Sequence, residues 1–164
     1  DLEEAELDIA SLARQAMIFV QPQAGATAIM LSSQIDVTDI LKGDERAMVQ
    51  VLTNLLSNAV KFSQPGSRVC LFARHAAHGG LALGVEDEGP GMSEQDLKKA
   101  MEPFGQATAM STIEGRGTGL GLPITKGLVE AQGGTFHLES QHGIGTRAWA
   151  EFSSACLIRK RQAA

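Results

Sequence analysis

The chain has 164 residues, 43% hydrophobic and 20% charged, a balance that suits one globular domain with a real core. Its formal net charge is −5, its aromatic share is 4% and it has no tyrosine, which argues against nucleic acid or an anionic membrane as the main partner. Cys70 and Cys156 are far apart without metal-ligand spacing, and no apolar run is long enough to span a bilayer, so neither a zinc site nor a membrane helix is expected.

In chain order, Ile9, Leu12, Ala13, Ala16, Met17 and Val20 recur at helical spacing and predict a helix over residues 9–20. Two short apolar runs, 29–31 and 37–41, read as a hairpin with an irregular turn. Asp44 then opens a long helix to about Phe62, closed by "SQPGS". Strands are expected over 68–74 and 81–85 around "HAAHGG". Ser93 with Asp96 resembles a capping box that starts a helix towards Met101. Pro123 suits the first turn of a helix that ends at Gly133 and Gly134. A closing hairpin joins 135–139 to 146–152 around "SQHGIG". The sum is an α+β domain: a two-layer sandwich with a mixed, mostly antiparallel sheet and helices packed on one face.

Three stretches carry candidate chemistry. On the long helix, Asn54, Asn58 and Lys61 fall within roughly 60° of one another at about 100° per residue, beside an apolar arc of Val51, Leu52, Leu55, Leu56, Ala59 and Phe62. Asparagine is a weak helix former. Two of them one turn apart suit either an ordinary polar face or amide oxygens for a hard cation such as Mg²⁺, with Lys61 supplying charge for phosphate. In "VEDEGPGM", Asp87 ends a strand and Gly89 and Gly91 follow. That is good turn chemistry, and equally an acceptor carboxylate with backbone open to a flat ring. The third stretch, "GRGTGLGL", has glycine at 115, 117, 119 and 121. Its spacing fits neither G-x-G-x-x-G nor a P-loop. It is either a flexible loop or a helix start presenting N–H groups to an anion, with Arg116 within reach of a terminal phosphate.

Taken together and in this order, the three resemble the GHKL ATP-binding superfamily, and in particular the catalytic and ATP-binding domain of bacterial sensor histidine kinases, which has the Bergerat fold. The resemblance runs from about Leu7 to Phe152. "QVLTNLLSNAVKFS" looks like the N box, "VEDEGPGM" the first glycine box, "MEPFGQ" the F box, "GRGTGLGLPITKGLVEAQGG" the second glycine box, and "GIGT" the final short motif. It implies ATP and Mg²⁺ as ligands. Asn58 would then hold the metal, with Asn54 close to metal and phosphates, Lys61 on phosphate and Phe62 flanking the adenine. Asp87 would accept from the adenine amine, helped by Thr146 through a water, and Gly89 and Gly91 would line the base pocket. Phe104 would anchor a lid running to Gly117. Gly117, Gly119 and Gly121, with Thr118 and Leu120 between them, would form its hinge and phosphate-facing turn; Arg116 lies near a lid cation of some relatives. Met101 replaces a frequent phenylalanine of the F box, Glu88 follows Asp87 where a small or amide residue is usual, and Pro123 is a less common choice; none removes a ligand.

Relatives that hydrolyse ATP carry a glutamate at the first N-box position as general base. Asn54 stands there, and an amide takes no proton at neutral pH. A neutral imidazole needs less help, so the resemblance implies a histidine acceptor, with catalysis by positioning and charge neutralisation. His75, His78, His137 and His142 all lie in turns or an alternating strand and read as solvated or structural. The acceptor is therefore expected on a separate dimerisation domain of the parent, and a response regulator beyond it. A non-phosphorylating, nucleotide-binding signalling module of a degenerate relative is the alternative. The catalytic domain is expected over residues 1–154, with 1–8 as the end of a linker and 155–164 as a basic tail. The expected location is cytoplasmic, for a soluble or membrane-anchored parent.

Overall fold

The computed structural model describes residues 1–102 and 121–159. In order these form β1 (Ala5–Asp8), α1 (Ile9–Ala26), β2 (Met30–Ile35), β3 (Ile40–Gly43), α2 (Glu45–Phe62), β4 (Arg68–His75), β5 (Leu81–Asp87), α3 (Glu94–Met101), α4 (Gly121–Ala131), β6 (Thr135–Gln141), β7 (Gly145–Phe152) and β8 (Leu157–Ile158), with single 3₁₀ turns at 77–79 and 154–156. Five strands make one sheet in the order β2-β4-β5-β7-β6. Only β2 and β4 run parallel in it; the other neighbours are antiparallel. Three short strands make a second sheet in the order β1-β3-β8.

The core lies between the helices and one face of the five-stranded sheet. Val69, Leu71 and Ala73 of β4, and Leu81, Leu83 and Val85 of β5, alternate into it. Helix α2 supplies Met48, Val51, Leu52, Leu55, Leu56, Ala59 and Val60, the i, i+3, i+4 pattern of an amphipathic helix seated on a sheet. On one flank α2 meets α1, where Ser57 Oγ donates to Gln23 Oε1 at 2.9 Å and Gln23 Nε2 donates to the Ser57 carbonyl at 3.2 Å. On the other flank it meets α4. There Gln132 accepts from the Asp44 amide at 2.8 Å and donates to the Leu128 carbonyl at 2.9 Å.

Most expected elements form, and the expected two-layer architecture is observed. The hairpin expected over 29–41 does not form. Strand β2 pairs in parallel with β4, whereas β3 joins β1 and β8 in the other sheet. The segment between them lacks a glycine turn, and buried Val37 and Asp39 carry it from one sheet to the other. Helix α1 continues six residues past Val20, through Pro22. Proline removes one helical hydrogen bond there, at a stretch where Ile18 and Phe19 are each 74% exposed.

Residues 5–8 and 157–158 are integrated into the fold more than expected. Residues 5–8, read as linker, pair with β3 in the register Ala5↔Gly43 to Asp8↔Ile40, and Leu7 is buried. Leu157 and Ile158, read as tail, pair with the other edge of β3. These strands are too short to announce themselves by alternation, and only their common partner reveals them.

Asp44 ties this small sheet to α2. One oxygen caps the helix by accepting from Ala47 N at 2.8 Å, and the other accepts from Glu3 N at 2.7 Å. These amides, Ala47 first, hold the Asp44 carboxyl below its ordinary value of 3.8. A depressed native pKa stabilises the fold above the ordinary value, and the contribution is lost as pH falls through the native one. Asp44→Ala is therefore expected to lower the thermal midpoint at neutral pH, with the gap to wild type narrowing as the pH is taken below about 3.8. Parallel melting curves across that range check it; a pH-independent gap would contradict the assignment.

Candidate nucleotide site

Helix α2 positions the first group of residues. Burial of its apolar arc turns Asn54, Asn58, Lys61 and Phe62 to the α4 flank and the C-terminal end, where all four are half-buried. Asn54 Nδ2 reaches Thr125 Oγ1 on α4 at 3.5 Å, the outer limit of a hydrogen bond, and Thr125 is fully buried. One turn on, Asn58 Nδ2 lies 3.6 Å from where a β-carbon on Gly121 would sit. The start of α4 thus lies directly beside Asn58. Among the described residues Asn58 makes no hydrogen bond, so its amide is available to a ligand. Lys61 Nζ stands 5.2 Å from the centre of the Phe62 ring, a cation–π contact. Phe62, expected in the apolar arc, is only partly covered and borders the site instead.

Asp87 ends β5 opposite Thr146 of β7 in the sheet register. Its Oδ1 accepts from Gly89 N at 2.8 Å and from Thr146 N at 3.3 Å. Among the described residues Oδ2 has no partner. Burial pushes the carboxyl above its ordinary value of 3.8, and the two amide hydrogen bonds only partly offset that.

The loop after Asp87 is pressed against both neighbours. A β-carbon on Gly89 would lie 3.3 Å from the Phe62 carbonyl, so the loop meets the end of α2. At Gly91, φ is +71° and a β-carbon would overlap the Gln141 carbonyl oxygen, which excludes any side chain. The loop is also held by hydrogen bonds from Gly143 N to Pro90 O at 2.6 Å and from Met92 N to Ser140 Oγ at 2.7 Å.

The structure sets Asn54 and Asn58 of α2 beside Thr125 and Gly121 of α4, and sets Asp87 beside Thr146, with Gly89 against Phe62 at the end of α2 and Gly91 against Gln141 of β6. Phe104, Arg116, Gly117, Thr118, Gly119 and Leu120 lie outside the described residues. Sequence reasoning missed Ser140, which bonds to the glycine loop and to Thr146 together. A serine in an alternating strand carries no signal of that kind. Among the described residues no cluster of three or more His, Cys, Asp or Glu could hold a metal ion.

The chain matches the family of histidine kinase-, DNA gyrase B- and HSP90-like ATPases over residues 43–155, more than half its length, and it belongs to that family. It is similar to the cell-division control histidine kinase PdhS of Brucella canis, with 39% identity over 145 residues that cover 80% of this chain and 14% of that protein. PdhS of Brucella abortus is 37% identical over 142 residues, with the same coverage. The chain thus spans only a small part of these relatives.

Among solved structures, full-length ShkA in complex with AMPPNP aligns with a TM-score of 0.82 at 28% identity, covering 99% of this chain and 33% of that one. The mycobacterial sensor histidine kinase MprB shares the fold, with a TM-score of 0.78 at 23% identity over 92% of this chain and 97% of that one.

The raised Asp87 pKa has a definite sign. The folded state binds the proton more tightly than the unfolded state, so this group favours folding most below 3.8, and the benefit is lost as pH rises through the native pKa. Asp87→Asn keeps an oxygen for both amides and removes the buried charge. The variant is expected to melt no lower than wild type at neutral pH, with the difference closing towards about pH 4. Melting curves of both proteins from roughly pH 4 to 8 test it. A variant that unfolds would show that the carboxylate serves the turn alone.

Proposed function

We propose that this chain is the ATP–Mg²⁺-binding catalytic domain of a sensor histidine kinase, which presents the γ-phosphate to a histidine on a separate dimerisation domain. What carries the reading is one convergence. Asn54 and Asn58 of α2 lie beside Thr125 and Gly121 of α4, and the loop after the half-buried Asp87 meets the end of the same helix at Phe62, next to Lys61. That set pairs a region suited to phosphates with a region suited to an amine-bearing ring. Family membership, and the AMPPNP bound by ShkA, point to an adenine nucleotide.

In this reading Asp87 Oδ2 accepts from the adenine amine, Gly89 and Gly91 let the ring lie on backbone, and Phe62 flanks it. Thr146 assists Asp87 through a water. The N–H groups at the start of α4 and the Lys61 ammonium face the phosphates.

The donor set suits Mg²⁺ in a particular way. With no carboxylate cluster among the described residues, the ion would be held by the Asn58 amide oxygen, with Asn54 nearby, and by the nucleotide's own oxygens and waters. Bound there, it would supply positive charge to offset that on the transferring phosphoryl group. The acceptor imidazole nitrogen forms the new bond to the γ-phosphorus as the bond to the β,γ-bridging oxygen breaks and ADP leaves. Asn54 cannot take a proton from water, which disfavours hydrolysis over transfer.

The partners in this reading are the histidine-bearing domain, a second copy of the parent through that domain, and a response regulator. The location is cytoplasmic, and no described helix is long and apolar enough to cross a membrane.

The test is nucleotide titration of wild type, Asn58→Ala and Asp87→Asn by calorimetry, with and without Mg²⁺. Asn58→Ala is expected to weaken Mg²⁺–ATP by about tenfold or more and to abolish the benefit of Mg²⁺, with the melting temperature kept. Asp87→Asn is expected to lose adenine nucleotide selectively. Mg²⁺ alone should bind negligibly. Unchanged, metal-independent affinity in Asn58→Ala would remove the metal role of that residue. Phosphorylation of an added histidine-bearing domain tests the transfer itself.

A further inference from the structure

We infer that Ser140 is a positioning residue that sets the hydrogen-bond polarity of the base pocket, making it a receptor for an exocyclic amine and not for an oxo group. The inference rests on the nucleotide reading above and names the residue that gives the site its choice of base.

Ser140, Thr146 and Asp87 occupy matched positions on three adjacent strands, Ser140↔Thr146 between β6 and β7 and Asp87↔Thr146 between β5 and β7. Ser140 Oγ makes three polar contacts. Met92 N lies at 2.7 Å, Thr146 Oγ1 at 2.8 Å and the Gly145 carbonyl at 3.2 Å. A serine hydroxyl has one proton and two acceptor lone pairs. The Met92 amide can only donate, so it fills one lone pair. The Gly145 carbonyl can only accept, so it takes the serine proton. The Thr146 contact must then use the threonine's own proton, donated into the second lone pair of Ser140. Only this assignment gives each of the three contacts a proton.

The consequence falls on Thr146. Its proton is committed to Ser140, which leaves only lone pairs for anything else it meets. Asp87 is in the same condition, since Oδ1 is filled by Gly89 N and Thr146 N and the ionised Oδ2 can only accept. The two groups nearest the base therefore offer acceptors and no donor. An exocyclic amine brings two N–H donors and is satisfied there, directly or through a water. An oxo group in the same place would face lone pairs and stay unpaired, the situation in which polar sites discriminate most strongly. Ser140 also holds Met92, and through it the far end of the glycine loop, so the same hydroxyl fixes the loop and the pocket's polarity.

The experiment measures the dissociation constants of Mg²⁺–ATP and Mg²⁺–GTP, with the melting temperature, for wild type, Ser140→Ala, Ser140→Thr and Thr146→Val. In Ser140→Ala the threonine proton is released, so ATP should weaken by about tenfold while GTP changes far less, narrowing the preference by about the same factor. Ser140→Thr retains the hydroxyl and should restore most of the wild-type preference. Thr146→Val keeps the shape, leaves the bond to Met92 in place and should narrow the preference as well, which keeps the test alive where Ser140→Ala fails to fold. Equal weakening of both nucleotides in Ser140→Ala, or an unchanged ratio in the variants, would overturn the inference and leave Ser140 a structural residue. Wild type that binds neither triphosphate would overturn the nucleotide reading along with it.

Discussion

The burial of one face of α2 is the constraint on which the rest depends. Its apolar residues have no alternative to the sheet, and their transfer from water is the main favourable term available to a domain of this size. Once that arc is seated, rotation of the helix about its axis is no longer free. A turn of about 100° is one residue, so an apolar arc fixed against β4 and β5 also fixes where Asn54, Asn58 and Lys61 emerge. Hydrophobic packing thereby aims polar chemistry, with polar contacts such as Ser57–Gln23 and Asn54–Thr125 holding the flanks of the helix alongside it.

The opposite wall of the site is built by strand register. Asp87, Thr146 and Ser140 come from three strands and fall into one row because β5, β7 and β6 pair as they do. A slip of one residue would send each side chain to the other face. The close approach of Gly91 to the Gln141 carbonyl, with φ at +71°, locks the loop after Asp87 onto the β6–β7 turn and leaves no room for such a slip. Two aspartates then show opposite electrostatics in one small fold. Asp44 is only partly covered and well supplied with amides, so its charge is favoured. Asp87 is desolvated with only one oxygen paired, so its charge is disfavoured. A carboxylate held at a cost is the kind that a ligand amine can satisfy.

Much of this was legible in the sequence because it is local. The long helix and its Asp44 cap, the Ser93 cap and the closing hairpin follow from spacing within a few residues, and all are present. Where the decision was long-range, the sequence was silent. The apolar runs near 30 and 40 look like partners since they are neighbours in the chain, yet a parallel pairing with β4 and an antiparallel one with β1 and β8 separate them. The two-residue strand at Leu157 could not be seen at all, since a pair of residues has no period. Ser140 was invisible for the same reason, as its meaning lies in contacts to residues 48 and 6 positions away.

By itself, then, the sequence determined the helices, their caps, the apolar faces and the identity of the groups available for chemistry, because periodicity and capping are properties of adjacent residues. Only the tertiary structure decided which strands became neighbours, that β1 and β8 both pair with β3, and that Asn58 lies beside Gly121 while Ser140 meets Thr146. Those are settled by contacts between distant segments, and their energy becomes available only after the chain has closed the loops between them.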